Sequence, residues 1–249
     1  MGHLYQMNRK QKTLSIFICP KSEESSALLY IMKVSLPITE VIQRNFPVLN
    51  KEYESFALEK DSCRSCELYD HYKQVIQSEG CVVSPNFMFI GEAGGSDEAE
   101  QNRPFIGMAG QRIREEMKKF PLIFNKKTTL ISNVVSCRPL NNKFPDKDVA
   151  KSCMAKWLDK EIKIVQPKII IVLGNQPLLY VREEQGITSL RGTWKFLPKY
   201  KIWSFATYHP SYVIRQERAK NKEVVDLFIQ DIETIVKTWE SKISDRTSP

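Results

Sequence analysis

Downstream of residue 86 the chain alternates between short apolar runs and longer amphipathic stretches. The apolar runs are Phe87 to Ile90, Thr129 to Val134, Ile169 to Leu173 and Ile202 to Ala206. Each is short and rich in β-formers, which predicts a strand. Helical spacing fills the intervals at Gly110 to Lys119, Asp146 to Val165 and Gln176 to Gln185, and Lys222 to Thr238 closes the pattern. Strands that alternate with helices pair in parallel. The expected fold is therefore α/β: a three-layer α/β/α sandwich around a central, mainly parallel four-stranded sheet. Ligands of such sheets gather outside the carboxyl ends of the strands.

The upstream part reads differently. Residues 1–45 are expected to be an N-terminal extension, with basic Arg9, Lys10 and Lys12, an apolar run Leu14 to Cys19 and a polar stretch from Lys21 to Ser26. A mobile arm, a docking segment and sequence upstream of a later start at Met32 are all open. Helical spacing begins at Glu40 (Val41, Ile42, Phe46), and residues 46–249 are expected to form one domain.

Composition narrows the class. The 249 residues are 42% hydrophobic, enough for a sizeable core. A net charge of +8 and a pI near 9.1 suit a polyanionic partner such as nucleic acid. No run approaches the length of a membrane span, and the N-terminus lacks a signal-peptide pattern. The expectation is an intracellular, cytoplasmic protein in a reducing compartment, nucleoid-associated in a prokaryote, monomeric and with no membrane partner.

Candidate chemistry sits at the strand ends. After the first strand comes Gly91-Glu92-Ala93-Gly94-Gly95-Ser96, in which Gly91 and Gly95 allow close backbone approach and Glu92 projects over the sheet edge. A solvated acid on a Gly-rich turn is the plain alternative. The loop Asn102 to Gly107 carries Phe105, a stacking platform or a core residue. Asn133, at the end of the second strand, has an acceptor and two donors suited to the edge of an amide-containing ring. His209 follows the fourth strand and is stiffened by Pro210; a structural turn is its ordinary role, and beside Glu92 and Asn133 it becomes a donor for a developing oxyanion.

Of the six cysteines, Cys63 and Cys66 form a Cys-x-x-Cys pair, and Cys137 and Cys153 follow at a distance. Four such thiols fit a structural zinc, an iron-sulfur cluster, or no metal at all. The wide spacing of Cys137 and Cys153 does not form a second zinc knuckle and leans toward a cluster.

Taken in order, Gly91-Glu92-Ala93 with Gly95, Arg103-Pro104-Phe105-Ile106-Gly107, Ala109-Gly110-Gln111, Asn133-Val134-Val135 with Cys137-Arg138-Pro139, and Tyr208-His209-Pro210-Ser211-Tyr212 resemble the iron-sulfur (family 4) uracil-DNA glycosylases. The likeness runs from about Cys63 to the C-terminus. It implies a monofunctional DNA-repair hydrolase that flips deoxyuridine from DNA, cleaves its N-glycosidic bond, releases uracil and leaves an abasic site. It also implies a [4Fe-4S] cluster on Cys63, Cys66, Cys137 and Cys153, with uracil-containing DNA as partner and replication or repair proteins as further ones. Residue by residue, Phe105 would stack on uracil, Asn133 would pair with its polar edge, His209 would donate to the oxygen that gains charge, and Glu92 would position water. Gly91 and Gly95 would line the pocket. Ser211, Tyr212, Val213 and Arg215 would hold the opened strand, with Tyr212 or Val213 as a wedge. The chain departs from the family where Gly94 replaces a usual proline. That change and the extension favour the alternative of a catalytically weak or inactive nucleic-acid-binding or replication-associated member; retention of Glu92, Phe105, Asn133 and His209 favours the enzyme.

Overall fold

The computed structural model describes residues 37–47 and 50–247, with side chains to residue 241. The apolar run Leu14 to Cys19 and the rest of residues 1–36 lie outside the described residues. The helical spacing that begins at Glu40 is helix α1 (Ile38–Asn45), whose Val41, Ile42 and Asn45 are buried. The Asn45 amide donates to the carbonyls of Ser78 and Asn102, both at 3.1 Å, so α1 is tied to the rest of the fold.

Six strands form one sheet in the order β1-β3-β2-β4-β6-β5. The four expected from the sequence are its centre: β2 (Phe87–Gly91), β3 (Thr129–Asn133), β4 (Ile169–Leu173) and β6 (Ile202–Thr207), each parallel to its neighbour. All five residues of β2, β3 and β4 are buried, which explains the unbroken apolar runs of β2 and β4; β3 buries Thr129, Ser132 and Asn133 as well.

The four-stranded expectation needs extension at both edges. β1 (Glu79–Gly80) pairs antiparallel with β3, and β5 (Trp194–Leu197) pairs antiparallel with β6. β1 is only two residues long and carries a charge, so it has no readable periodicity. β5 puts Lys195 between aromatics and leaves Phe196 partly exposed against Trp203 of β6, with ring centroids 5.5 Å apart. Mixed character of that kind belongs to an edge strand rather than a core one.

Helices cover both faces. On one, α5 (Met108–Lys118) and α11 (Lys222–Thr247) pack together, and Trp239 of α11 meets Phe87 with centroids 5.0 Å apart. On the other, α2 (Lys51–Asp61) and α7 (Asp159–Val165) pack together, and Glu161 accepts from Ser132 Oγ at 2.7 Å and from Tyr53. The single helix expected over Asp146 to Val165 is continuous but widened: α6 (Lys147–Cys153) passes through a π turn, Met154–Leu158, into α7. Among the described residues no helix is long and apolar enough to cross a membrane.

Strand order places β2 between β3 and β4, so the chain leaves β2 in opposite directions across the sheet. This is the switch point at which open α/β sheets form a crevice.

Candidate active site

A cavity of about 440 Å³ opens beyond the carboxyl ends of β2, β3 and β6. Glu92, Gly95, Phe105, Asn133, His209, Ser211 and Arg215 all line it, so the strand-end residues singled out from the sequence meet at one place.

Gly91 lies beneath the cavity rather than on its wall. A Cβ there would come within 2.4 Å of the Phe105 ring and 2.5 Å of Asn133 Oδ1. Only glycine lets these two side chains close over the end of β2. The Asn133 amide has no hydrogen-bond partner among the described residues, and its acceptor and donors are free for a ligand. Gly95 does line the cavity, but its N–H already donates to Glu98 Oε2 at 3.0 Å.

Phe105 adopts a left-handed backbone, φ 57°. For an aromatic residue this costs about 1–3 kcal/mol and persists only where surroundings hold it. The Glu98 carboxylate clasps the loop from inside, accepting from the N–H groups of Ile106 (2.9 Å) and Gly107 (2.8 Å). Arg114 grips it from α5: its Nε donates to the Phe105 carbonyl at 2.8 Å and its Nη2 to the Pro104 carbonyl at 3.0 Å. Arg114 is itself fixed by Glu79, which is 1% exposed and also pairs with Arg103 and Lys126. Burial pushes the Glu79 carboxyl up, but hydrogen bonding to Arg103 and the Arg114 charge outweigh it and hold the group below its ordinary value. Glu79, Glu98 and Arg114 were not found in the sequence, since nothing periodic connects them to Phe105.

His209 precedes α10 (Pro210–Arg218) as its N-cap. Its Nδ1 accepts from the Ser211 N–H at 3.2 Å and lies 2.7 Å from Ser211 Oγ. A nitrogen that accepts carries no proton, so the proton of the neutral ring rests on Nε2 and leaves a donor for the cavity. Burial, with the Arg215 charge, lowers the His209 pKa to about 4, and the ring is neutral at neutral pH. Gly174, at φ 88°, makes room for it: a Cβ there would stand 2.7 Å from His209 Cβ. Burial raises the Glu92 carboxyl, and Arg215 opposes the rise.

The residues expected to touch DNA divide. Arg215 is exposed at the cavity. Ser211 lines the cavity while its polar groups orient His209. Tyr212 packs on Tyr208, with centroids 5.2 Å apart, and is half-buried. Val213 is 0% exposed and cannot act as a wedge. The reason is that α10 starts immediately at Pro210, and Val213, one turn on, shares its buried face.

The cysteines come from separate elements. Cys63 follows α2, Cys66 caps α3 (Glu67–Tyr72), Cys137 lies in the loop after β3 and Cys153 ends α6. All four thiols are free, and so is Cys81. Burial first, then the neighbouring sulfurs of Cys153, Cys66 and Cys63, push the Cys137 thiol up to about 12. Trp157, on the π turn, donates to Cys63 Sγ at 3.3 Å, and the Ser136 N–H donates to Cys153 Sγ at 3.5 Å. Among the described residues no group of three or more Cys, His, Asp or Glu side chains is arranged to hold a single metal ion.

Comparison with known proteins gives the chain's family. Residues 77–233 match the model of the uracil DNA glycosylase superfamily. Over 158 residues the chain is 37% identical to the type-4 uracil-DNA glycosylase of Sulfurisphaera tokodaii, covering 60% of this chain and 70% of the relative. The type-4 enzyme of Saccharolobus solfataricus is 34% identical over 157 residues, 60% of this chain and 71% of its own. That of Thermotoga maritima is 30% identical over 174 residues, 69% and 86% respectively. The chain belongs to the uracil DNA glycosylase superfamily and stands within it beside the type-4 enzymes.

Proposed function

We propose that this chain excises uracil from DNA. A deoxyuridine turned out of the helix enters the cavity, where Phe105 stacks on the ring and the unpartnered Asn133 amide pairs with its polar edge. Cleavage of the N-glycosidic bond leaves positive charge on the sugar and negative charge on uracil. His209, held neutral with its proton on Nε2, donates to the uracil oxygen that gains charge; one such donor in a dry site is worth about 3 kcal/mol of barrier. Glu92 holds the attacking water and offsets charge on the sugar. The water oxygen joins the sugar carbon as the N-glycosidic bond breaks, the proton the water releases passes to the Glu92 carboxylate, uracil departs as a stabilised anion, and an abasic site remains. Arg215 gives the exposed rim a charge for the phosphate backbone. All these residues lie in one copy of the chain, so a monomer suffices, and the substrate is found inside the cell.

Cys63, Cys66, Cys137 and Cys153 fit a [4Fe-4S] cluster: four thiols from separate elements, in one another's field, with N–H donors on two sulfurs. When bound, the cluster would tie the Cys63 turn, the Cys137 loop and the Cys153 helix into one unit. The observation that carries the functional reading is the meeting of a free amide, an aromatic face and a neutral imidazole donor at one cavity. Incubation with a uracil-containing oligonucleotide followed by alkali should cut the strand at uracil. No cut at a large excess of protein would overturn the reading.

A further inference from the structure

We infer that Arg114 is a positioning residue for base recognition, acting through the backbone of Phe105. The inference rests on the reading of Phe105 as the platform for uracil. Phe105 is the aromatic on the cavity wall, and its φ of 57° is a conformation that it would leave if released. Arg114 donates to two successive carbonyls, those of Pro104 and Phe105, at 3.0 and 2.8 Å. A guanidinium can do this while it also meets Glu79 Oε2 at 3.1 Å. A lysine ammonium is a single point charge and cannot span the same three acceptors.

The backing is rigid on the other side as well. A Cβ at Gly110 would fall 2.0 Å from the Phe105 carbonyl carbon and oxygen, so α5 lies directly against the peptide that Arg114 holds. Glu79 also receives both Arg103 Nε and Nη2, at 3.1 and 2.9 Å, so the carboxylate that fixes Arg114 is itself immobilised. Without the Arg114 bridge, Phe105 is expected to relax to negative φ and to carry its ring away from Gly91 and Asn133.

The test is a double-mutant cycle with F105A and R114K, read by kcat and KM on a single-uracil oligonucleotide. Binding is read separately, on an uncleavable oligonucleotide carrying 2′-fluoro-deoxyuridine, against the same strand carrying thymidine. R114K alone should lower kcat/KM by about tenfold or more, as a platform displaced by a fraction of an ångström does. It should also reduce the preference for the fluorinated uridine. In the F105A background, R114K should add less than about twofold, because the platform is already gone. Effects that multiply in full, or an R114K protein indistinguishable from wild type, would overturn the inference. So would an R114K protein that melts below the assay temperature, since Arg114 would then hold the fold rather than the ring. A wild-type protein that leaves uracil DNA uncut would instead overturn the glycosylase reading.

Discussion

Phe105 and His209 both line the same cavity, and they are held there by different physics. The Phe105 wall is held from outside its loop: Glu79 of β1, Arg114 of α5 and the Glu98 carboxylate grip, through charge-assisted hydrogen bonds, the strained loop that carries Arg103 and Phe105. The His209 wall is local. Its imidazole is oriented by Ser211, two residues on, and from farther along the chain it needs the absence of a side chain at Gly174. Where a side chain serves as a platform, a stiff backbone behind it matters most. Where it serves as a proton donor, the tautomer matters most, and one N–H from a neighbouring residue sets it.

If this division holds, damage to the buried charge behind the first wall should cost stability as well as activity, and damage to the second should cost activity with little loss of stability. The largest effect is expected from Glu79→Gln. Removing a buried carboxylate that faces three cations should destabilise the protein by about 3 kcal/mol, the low end for a broken buried pair because the cations are partly hydrated. A urea melt measures it. A midpoint unchanged within error would mean that the network is ornamental and that the contrast between the walls is false.

His209→Ala tests the other side. It should reduce kcat by about a hundredfold while the melting midpoint moves little and DNA affinity is largely kept. Acid sharpens the comparison, because the walls titrate in different windows. A neutral His209 with pKa about 4, against 6.5 when unfolded, contributes stability that is fully present above pH 6.5 and is lost as pH falls toward 4. Glu79, lowered from 4.5, contributes stability present above pH 4.5 and lost only as pH falls below that, through its folded value. Melts of wild type and H209A, close together at pH 7, should therefore separate as the pH falls toward 4, wild type losing stability that H209A keeps. Parallel curves would place His209 outside the titration.

Gly174→Ala should give a mixed result of intermediate size. It forces alanine into φ 88° and a Cβ to within 2.7 Å of His209 Cβ. A loss of roughly 1–2 kcal/mol in stability is expected together with a fall in kcat. Loss of stability with kcat unchanged would mean that His209 moves without consequence.

This contrast also explains what could be read in the sequence. His209-Pro210-Ser211 is contiguous, so the stiffened turn at His209 could be read locally, although the helix that His209 caps was not expected. The central strands β2 and β4 were legible because burial on both faces writes unbroken apolar runs, and β3 and β6 because β-formers dominate them despite buried Ser and Thr. Glu79 and Arg114 are 35 residues apart and were not legible, since an ion pair has no period. The edges β1 and β5 were missed because two residues, or a Lys between aromatics, do not mark a strand. Val213 was expected as a candidate wedge because no helix was expected after His209, whereas α10 begins at Pro210 and turns Val213 inward. The four cysteines were picked out by their spacing and resemblance, but Trp157 as a donor to Cys63 depends on the π turn, which local sequence does not announce.

The smallest expected effect concerns Gly94, where the resembling family usually has proline. Here the room a larger residue would need is filled from outside the loop: a Cβ on Gly94 would stand 2.2 Å from Ile76 Cδ1 and 3.1 Å from Glu98 Cβ. The departure is thus matched by a packing partner, and the loop that leads to Glu98 is held by contact instead of by a ring. Gly94→Ala alone should destabilise by about 1 kcal/mol, since overpacking forces the flexible end of Ile76 to move. Ile76→Val removes the Cδ1 that is struck, so the double variant should recover most of the stability lost in G94A. Because this contact lies on the Phe105 wall, kcat/KM should follow stability in all three variants. Recovered stability with persistently low kcat/KM would mean that Gly94 acts on the base pocket directly, and the Phe105 wall would then be local at one point as well.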